Sequence, residues 1–252
     1  MTNAVEFKNV TKFYPRYHEI TGGIKRLIFN LPSAIKNMRE YKYLALEEID
    51  FEIQKGETVA FIGRNGAGKS TTLGLIAGVL EPTQGSVVVD GRISPLLELG
   101  GGFHHDLTGR ENIKLNGVLL GLTLKKVNEK MDEIIEFSEL GEFIDQPIRF
   151  YSSGMKARLG FSVVAHLDPE ILLVDEVLGV GDVKFREKCK NKIHSFKEQG
   201  VTIILVTHSV SEVVDLCDRA IWIDNKRIKM QGNSIEVCKN YCEALGVPFK
   251  EP

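Results

Sequence analysis

What this chain has little of sets its limits. Its 252 residues include four cysteines (Cys189, Cys217, Cys238 and Cys242), one tryptophan and only 8% aromatic residues. The cysteines lack the spacing of a secreted disulfide framework, and Met1-Thr-Asn-Ala-Val5 does not open a signal peptide. Cys238 and Cys242 stand one helical turn apart without a second pair of His or Cys, so reduced cytosolic thiols are expected rather than a metal site. No apolar run approaches the ~20 residues that cross a bilayer, which leaves only a peripheral membrane role. With 32 Lys and Arg against 34 Asp and Glu, the formal net charge is −2, and no basic field argues for nucleic acid. Internal repeats, low-complexity tails and a guanine-reading Asn-Lys-x-Asp are also missing.

What is present is an ordinary globular composition, 43% hydrophobic and 26% charged. A chain of this length buries about 75% of its unfolded surface. Its chemistry concentrates between Phe61 and Thr71, where Gly63-Arg64-Asn65-Gly66-Ala67-Gly68-Lys69-Ser70 fills the G-x-x-x-x-G-K-[ST] pattern. The preceding Glu57–Ile62 is short, β-branched and apolar, as a buried strand is. The following Thr71–Ala77 places Leu73, Ile76 and Ala77 on one helical face. A strand, a glycine turn and a helix aim backbone N–H groups at phosphate oxygens. Lys69 then reaches the β- and γ-phosphates, and the Ser70 hydroxyl ligates Mg²⁺. The expected ligand is a nucleoside triphosphate.

Along the rest of the chain, Val5–Tyr14 alternates as an edge strand would, and Leu44–Ile53 resumes the pattern after an interruption at residues 16–42. Within that interruption Ile24, Leu27, Ile28 and Leu31 fall at helical spacing beside Lys25 and Arg26, Pro32 ends the helix, and Ile35 and Met38 start a further turn. Gly85–Gly91 reads as a strand. A helical zone starts near Phe103, with a capping box at Thr108-Gly-Arg-Glu111 opening a helix to about Leu120. One amphipathic helix is expected from Leu124 to about Phe137 and another from Met155 to His166. Strand and helix then alternate: Ile171–Val174, Lys184–Gln199, Val201–Val206, a helix capped at Ser209, a hairpin joined at Asp224-Asn225, and a closing helix from Ser234.

Two more clusters belong to the expected phosphate site. Asp175 and Glu176 end the buried strand Ile171–Val174, on the sheet edge where open α/β sheets bind ligands. Asp175 suits Mg²⁺, and Glu176 suits the polarising of an attacking water, as general base or water-positioner. His208 ends the next buried strand on the same edge, within reach of a γ-phosphate.

Together these pieces resemble the ATP-binding-cassette (ABC) ATPases over most of the chain. Tyr151-Ser152-Ser153-Gly154-Met155 resembles the family's Leu-Ser-Gly-Gly-Gln signature, with Ser153 for a glycine and Met155 for the glutamine. His208 matches the switch histidine, Asp182 the loop that crosses the dimer interface, and Tyr14 the aromatic residue that stacks on adenine. The family's coupling-loop glutamine is absent, and Glu98 is its nearest candidate as a metal ligand. The resemblance implies an α/β P-loop NTPase cassette with a mixed-sheet core, an N-terminal antiparallel β part and an inserted helical subdomain. Residues 1–252 would form a single ATP-binding domain, its RecA-like core near 1–102 and 168–252, the helical subdomain near 103–167, and an extra insertion near 16–42. It also implies a head-to-tail homodimer, in which Ser152, Ser153 and Gly154 of one copy meet the ATP held by the other.

Leu96–Phe103, Leu107–Asn112, Tyr151–Met155 and Asp175–Asp182, with the insertion after Tyr14, narrow the resemblance to ATPase subunits that export lipid-linked polysaccharide of the O-antigen type. Wall teichoic acid and capsular polysaccharide exporters, and more distantly a non-transport ABC ATPase, are the alternatives. The implied partners are a second copy, an integral membrane permease and a lipid-linked polysaccharide, with no nucleic acid, at the cytoplasmic face of the cytoplasmic membrane. Some O-antigen members carry a carbohydrate-binding domain after the ATPase, for which a chain ending at Pro252 leaves no room. The stripe Ile24–Leu31 fits a membrane-domain partner, an anionic lipid surface or the chain's own domain.

Overall fold

The computed structural model describes residues 2–15, 42–96, 102–175 and 182–249. The helix expected at Ile24–Leu31, the turn at Ile35 and Met38, Glu98 and Glu176 lie outside the described residues.

Two sheets organise the chain. The smaller is antiparallel, with β1 (Asn3–Pro15) between β2 (Lys42–Gln54) and β4 (Gln84–Val89). The alternation of β1 suggests an edge strand; the structure corrects this to the centre of the sheet. Val5 pairs with Ile53 on one side and Val89 on the other. Both rows of its backbone groups are thereby engaged, and Val5, Phe7 and Val10 are at most 2% exposed. A bulge at Asn9 (φ 48°), whose N–H donates to Asp50 Oδ1 at 2.7 Å, turns the strand between Phe7 and Val10.

The larger sheet contains β3 (Thr58–Ile62), β5 (Ile93–Leu96), β6 (Ile171–Asp175), β7 (Thr202–Val206), β8 (Arg219–Asp224) and β9 (Arg227–Asn233) in the order β5-β6-β7-β3-β8-β9. All its pairs are parallel except β8 with β9. The apolar runs of β6, β7 and β3 are buried in its middle, as parallel strands covered on both faces must be. β5 has no strand signal of its own. It is four residues long and carries Pro95, which an edge position tolerates. Phe51 joins the two sheets: its ring stacks on Phe7 at 4.3 Å and meets Phe61 of β3 edge-on at 5.3 Å.

Helix α1 (Lys69–Ile76) follows β3 directly. Between β5 and β6 come α2 (Gly109–Leu119), α3 (Leu124–Glu129), α4 (Met131–Ser138), two 3₁₀ turns and α5 (Ser153–Ala165). The Thr108–Glu111 capping box forms as its spacing predicts. The single helix expected from Leu124 to Phe137 is two, broken at Lys130 (φ −94°, ψ 1°). The Lys130 ammonium is held by the His166 carbonyl at 2.7 Å and Asp168 at 3.0 Å, a tertiary tether that periodicity does not reveal. Helices α6 (Val183–Glu198), α7 (Val210–Leu216) and α8 (Ser234–Leu245) complete the alternation. The β8–β9 hairpin turns one residue later than expected, at Asn225 (φ 47°) and Lys226 (φ 70°), the left-handed pair of a type I′ turn. No described helix is long and apolar enough to cross a membrane.

Candidate functional site

Three adjacent parallel strands set the site. β6, β7 and β3 run side by side in one direction, so their C-terminal ends open on one edge of the sheet. From β3 the chain enters the loop Gly63–Gly68 and then α1. Gly63 has φ 149°, and a Cβ there would lie 2.2 Å from the Ile223 carbonyl. Gly68 has φ 122°, and a Cβ there would lie 2.8 Å from the Ala45 carbonyl. Sterics therefore require glycine at both ends of the loop. Ala67 is buried, while Arg64, Asn65 and Gly66 face outward.

Lys69 is only 6% exposed. Its ammonium donates to the carbonyls of Gly63 at 2.8 Å and Arg64 at 3.2 Å, which folds the loop around its own cation. Ser70 and Thr71 follow on the first turn of α1, which has no side-chain cap of its own. Asp175 ends β6, and His208 follows β7 after Thr207.

Lys69, Ser70, Thr71, Asp175 and His208 line one cavity of about 430 Å³ with Asn65, Gly66, Gly68, Tyr43 and Ala45. A buried lysine, a serine at a helix start, a carboxylate and an imidazole around a glycine loop suit a Mg²⁺-bound polyphosphate.

The sequence reading missed Tyr43 and Ala45, whose place depends on the register of β2. Tyr14 stands directly across the β1–β2 pair from Tyr43, with the Lys12 ammonium 5.4 Å from its ring centroid. The signal for Tyr43 was a second aromatic flanking the same interruption.

The remaining predicted residues sit elsewhere. Ser152 caps α5, its Oγ accepting from the Met155 N–H at 3.2 Å. Ser152 and Ser153 are exposed and Gly154 half-buried, and none of them lines the cavity. Tyr151 anchors this end: its hydroxyl donates to the Phe143 carbonyl at 2.5 Å, and burial pushes its phenol up to about 12. Asp182 caps α6, accepting from the Phe185 N–H at 2.9 Å, and that bond holds its carboxyl below the usual carboxylate range. Glu176 and Glu98 are outside the described residues.

Comparison with known proteins gives a consistent set of relatives. Residues 46–179 match the family described as ABC transporter. The chain is 56% identical over 245 residues to the O-antigen export system ATP-binding protein RfbB of Klebsiella pneumoniae, covering 97% of this chain and 100% of that one. It is 44% identical over 248 residues to the teichoic acids export ATP-binding protein TagH of Listeria innocua, covering 98% of this chain and 72% of the relative. Among solved structures, a dimeric post-hydrolysis state of an ATP-binding cassette bound to ADP and Pi matches with TM-score 0.72 at 23% identity, covering 91% of this chain and 98% of that one. A structure of the ATP binding subunit of an ABC transporter matches with TM-score 0.74 at 22% identity, covering 98% and 95%. These two likenesses establish the fold.

Proposed function

The chain belongs to the ABC transporter family of ATP-binding proteins, and from that premise we propose that it is the ATP-hydrolysing subunit of a polysaccharide exporter. It binds ATP in the cavity at the ends of β3, β6 and β7, works as a head-to-tail pair, and drives a membrane-spanning permease from the cytoplasmic face. The exported cargo is a lipid-linked polysaccharide of the O-antigen type. The 44% identity to a teichoic acids export protein supports wall teichoic acid as the second reading.

The observation that carries the proposal is the gathering of Lys69, Ser70, Asp175 and His208 around one cavity. Lys69 and the N–H groups of Gly63–Ser70 receive the phosphates, with Arg64, Asn65 and Thr71 at the rim of the loop. Tyr43 and Tyr14 offer the base an aromatic surface. Ser70 and Asp175, with Glu98 as a further candidate, would hold Mg²⁺, which neutralises charge on the β- and γ-phosphates. Glu176 polarises the attacking water and His208 orients it.

A cavity without Ser152, Ser153 and Gly154 fits a site completed by a second copy. Each chain then supplies a cradle for one nucleotide and, with Asp182 near the seam, a lid for the other. ATP drives closure only through its extra affinity for the closed pair. The helical part from Phe103 to Phe150 is the surface offered to the permease.

Equilibrium binding of MgATP to the purified protein and to Lys69→Ala tests this reading. Micromolar binding lost in the variant supports it; equal binding by both proteins contradicts it.

A further inference from the structure

The tip of the β8–β9 hairpin reaches the rim of the cavity. The Lys226 ammonium donates to the Tyr43 hydroxyl at 2.8 Å and also to the Gly66 carbonyl of the phosphate loop. It lies 5.0 Å from the Tyr43 ring centroid. Taken with the short bond to the hydroxyl, that distance puts the ammonium beyond the ring's edge, so it grips the phenol without lying over a face. The tip is fixed on β2 as well. The Lys226 carbonyl accepts from the Glu47 N–H at 2.9 Å. The neighbouring Arg227 pairs with Glu47 at 2.9 Å and Glu48 at 3.0 Å.

The local sequence is unfavourable at this point. Lys226 has φ 70° at the second position of a type I′ turn, where glycine is the relaxed choice. A lysine at a strained backbone position, with its ammonium bonded to two residues of the cavity wall, points to a use for that ammonium.

We propose that Lys226 is a positioning residue for the nucleotide: it ties the aromatic ring on the base side of the cavity to the carbonyl side of the phosphate loop, so that base and phosphate subsites form one preorganised unit. This rests on the ATP reading above. Its ammonium bonds no phosphate in this role; it acts through Tyr43 and Gly66. Loss of the tie therefore weakens ligands that span both subsites and spares those that fill only the phosphate end.

The test compares MgATP with inorganic tripolyphosphate on the wild type, Lys226→Gly, Lys226→Arg, Tyr43→Phe and the Lys226→Gly/Tyr43→Phe pair. Lys226→Gly is expected to keep or raise the melting temperature, because the strained φ is relieved. At the same time it loses ATP affinity about tenfold, while tripolyphosphate affinity changes less than about threefold. Lys226→Arg restores most of the ATP affinity. Tyr43→Phe, which keeps the ring, shares the loss, and the pair is no weaker than the weaker single variant.

Unchanged ATP affinity in Lys226→Gly overturns the proposal. So do equal losses for ATP and tripolyphosphate, which mark simple charge attraction, and so does an additive pair. If the folded wild type fails to bind ATP, the functional reading itself falls and takes this inference with it. If Lys69→Ala abolishes binding and Lys226→Gly matches the wild type, only the role of Lys226 falls.

Discussion

Arg158 donates to the Asp182 carboxylate at 2.6 Å, joining the helix behind Ser152 to the cap of the helix that follows β6. The same guanidinium lies 5.0 Å from the Phe185 ring centroid and 3.5 Å from Glu139, which Lys188 also pairs at 3.0 Å. The C-terminal cap of α4, the middle of α5 and the start of α6 thus share one charged cluster.

Asp182 has two jobs in that cluster, and two substitutions separate them. Asp182→Ala removes both the cap and the ion pair, and it should lower the melting temperature by about 2–4 °C. Asp182→Asn keeps a capping oxygen and should cost less than half of that. Calorimetry on both variants decides, and equal shifts would mean that the cap is not what holds the start of α6. The sign with pH follows from the lowered carboxyl: its contribution is present above the ordinary value of 3.8 and fades as pH falls through the lower folded value. The difference between wild type and Asp182→Asn should therefore be flat from neutral pH down to about 4.

Gly68 and Gly78 both have left-handed backbone, but their surroundings differ. A Cβ on Gly68 would lie 2.4 Å from Leu46 Cδ2 and 2.8 Å from the Ala45 carbonyl, whereas one on Gly78 (φ 70°) meets nothing within 4 Å. Gly78→Ala should cost about 1 kcal/mol, the strain of φ alone. Gly68→Ala adds the clash and should cost about 2–5 kcal/mol while reducing MgATP affinity at least about a hundredfold. Urea unfolding and ATP titration of the two variants measure the contrast. Similar stability and retained binding in Gly68→Ala would remove the steric account of the loop.

How much was legible in the sequence divides along physical lines. β3, β6 and β7 were readable because a strand buried on both faces is continuously apolar. The caps at Thr108 and Ser209 were readable because they bond three residues along the chain, which local sequence specifies; those at Ser152 and Asp182 emerge only in the structure. The glycine loop and the acidic end of β6 were readable for the same local reason. The central position of β1 depends on pairing with β4, far along the chain, and no alternation within Asn3–Pro15 encodes it. The break at Lys130 depends on His166 and Asp168, and the presence of Tyr43 in the cavity depends on strand register. Lys226 lies about 160 residues from the loop it touches and carries no motif.

The stripe Ile24, Leu27, Ile28 and Leu31 is proposed to serve transport rather than ATP binding. Leu27→Asp combined with Ile28→Asp should abolish polysaccharide export in cells while leaving MgATP affinity within about twofold of the wild type. Surface polysaccharide measured beside ATP titration checks both halves. Normal export by that double variant removes the proposed role.

The central claim is that each chain holds only half of a working site. The most direct test is the solution mass of Glu176→Gln, by light scattering, with and without MgATP. A 28.2 kDa chain that doubles its mass only with MgATP, and stays single when Gly154→Asp is added, is the predicted result. A Glu176→Gln protein that binds MgATP tightly yet stays at the mass of a single chain contradicts it.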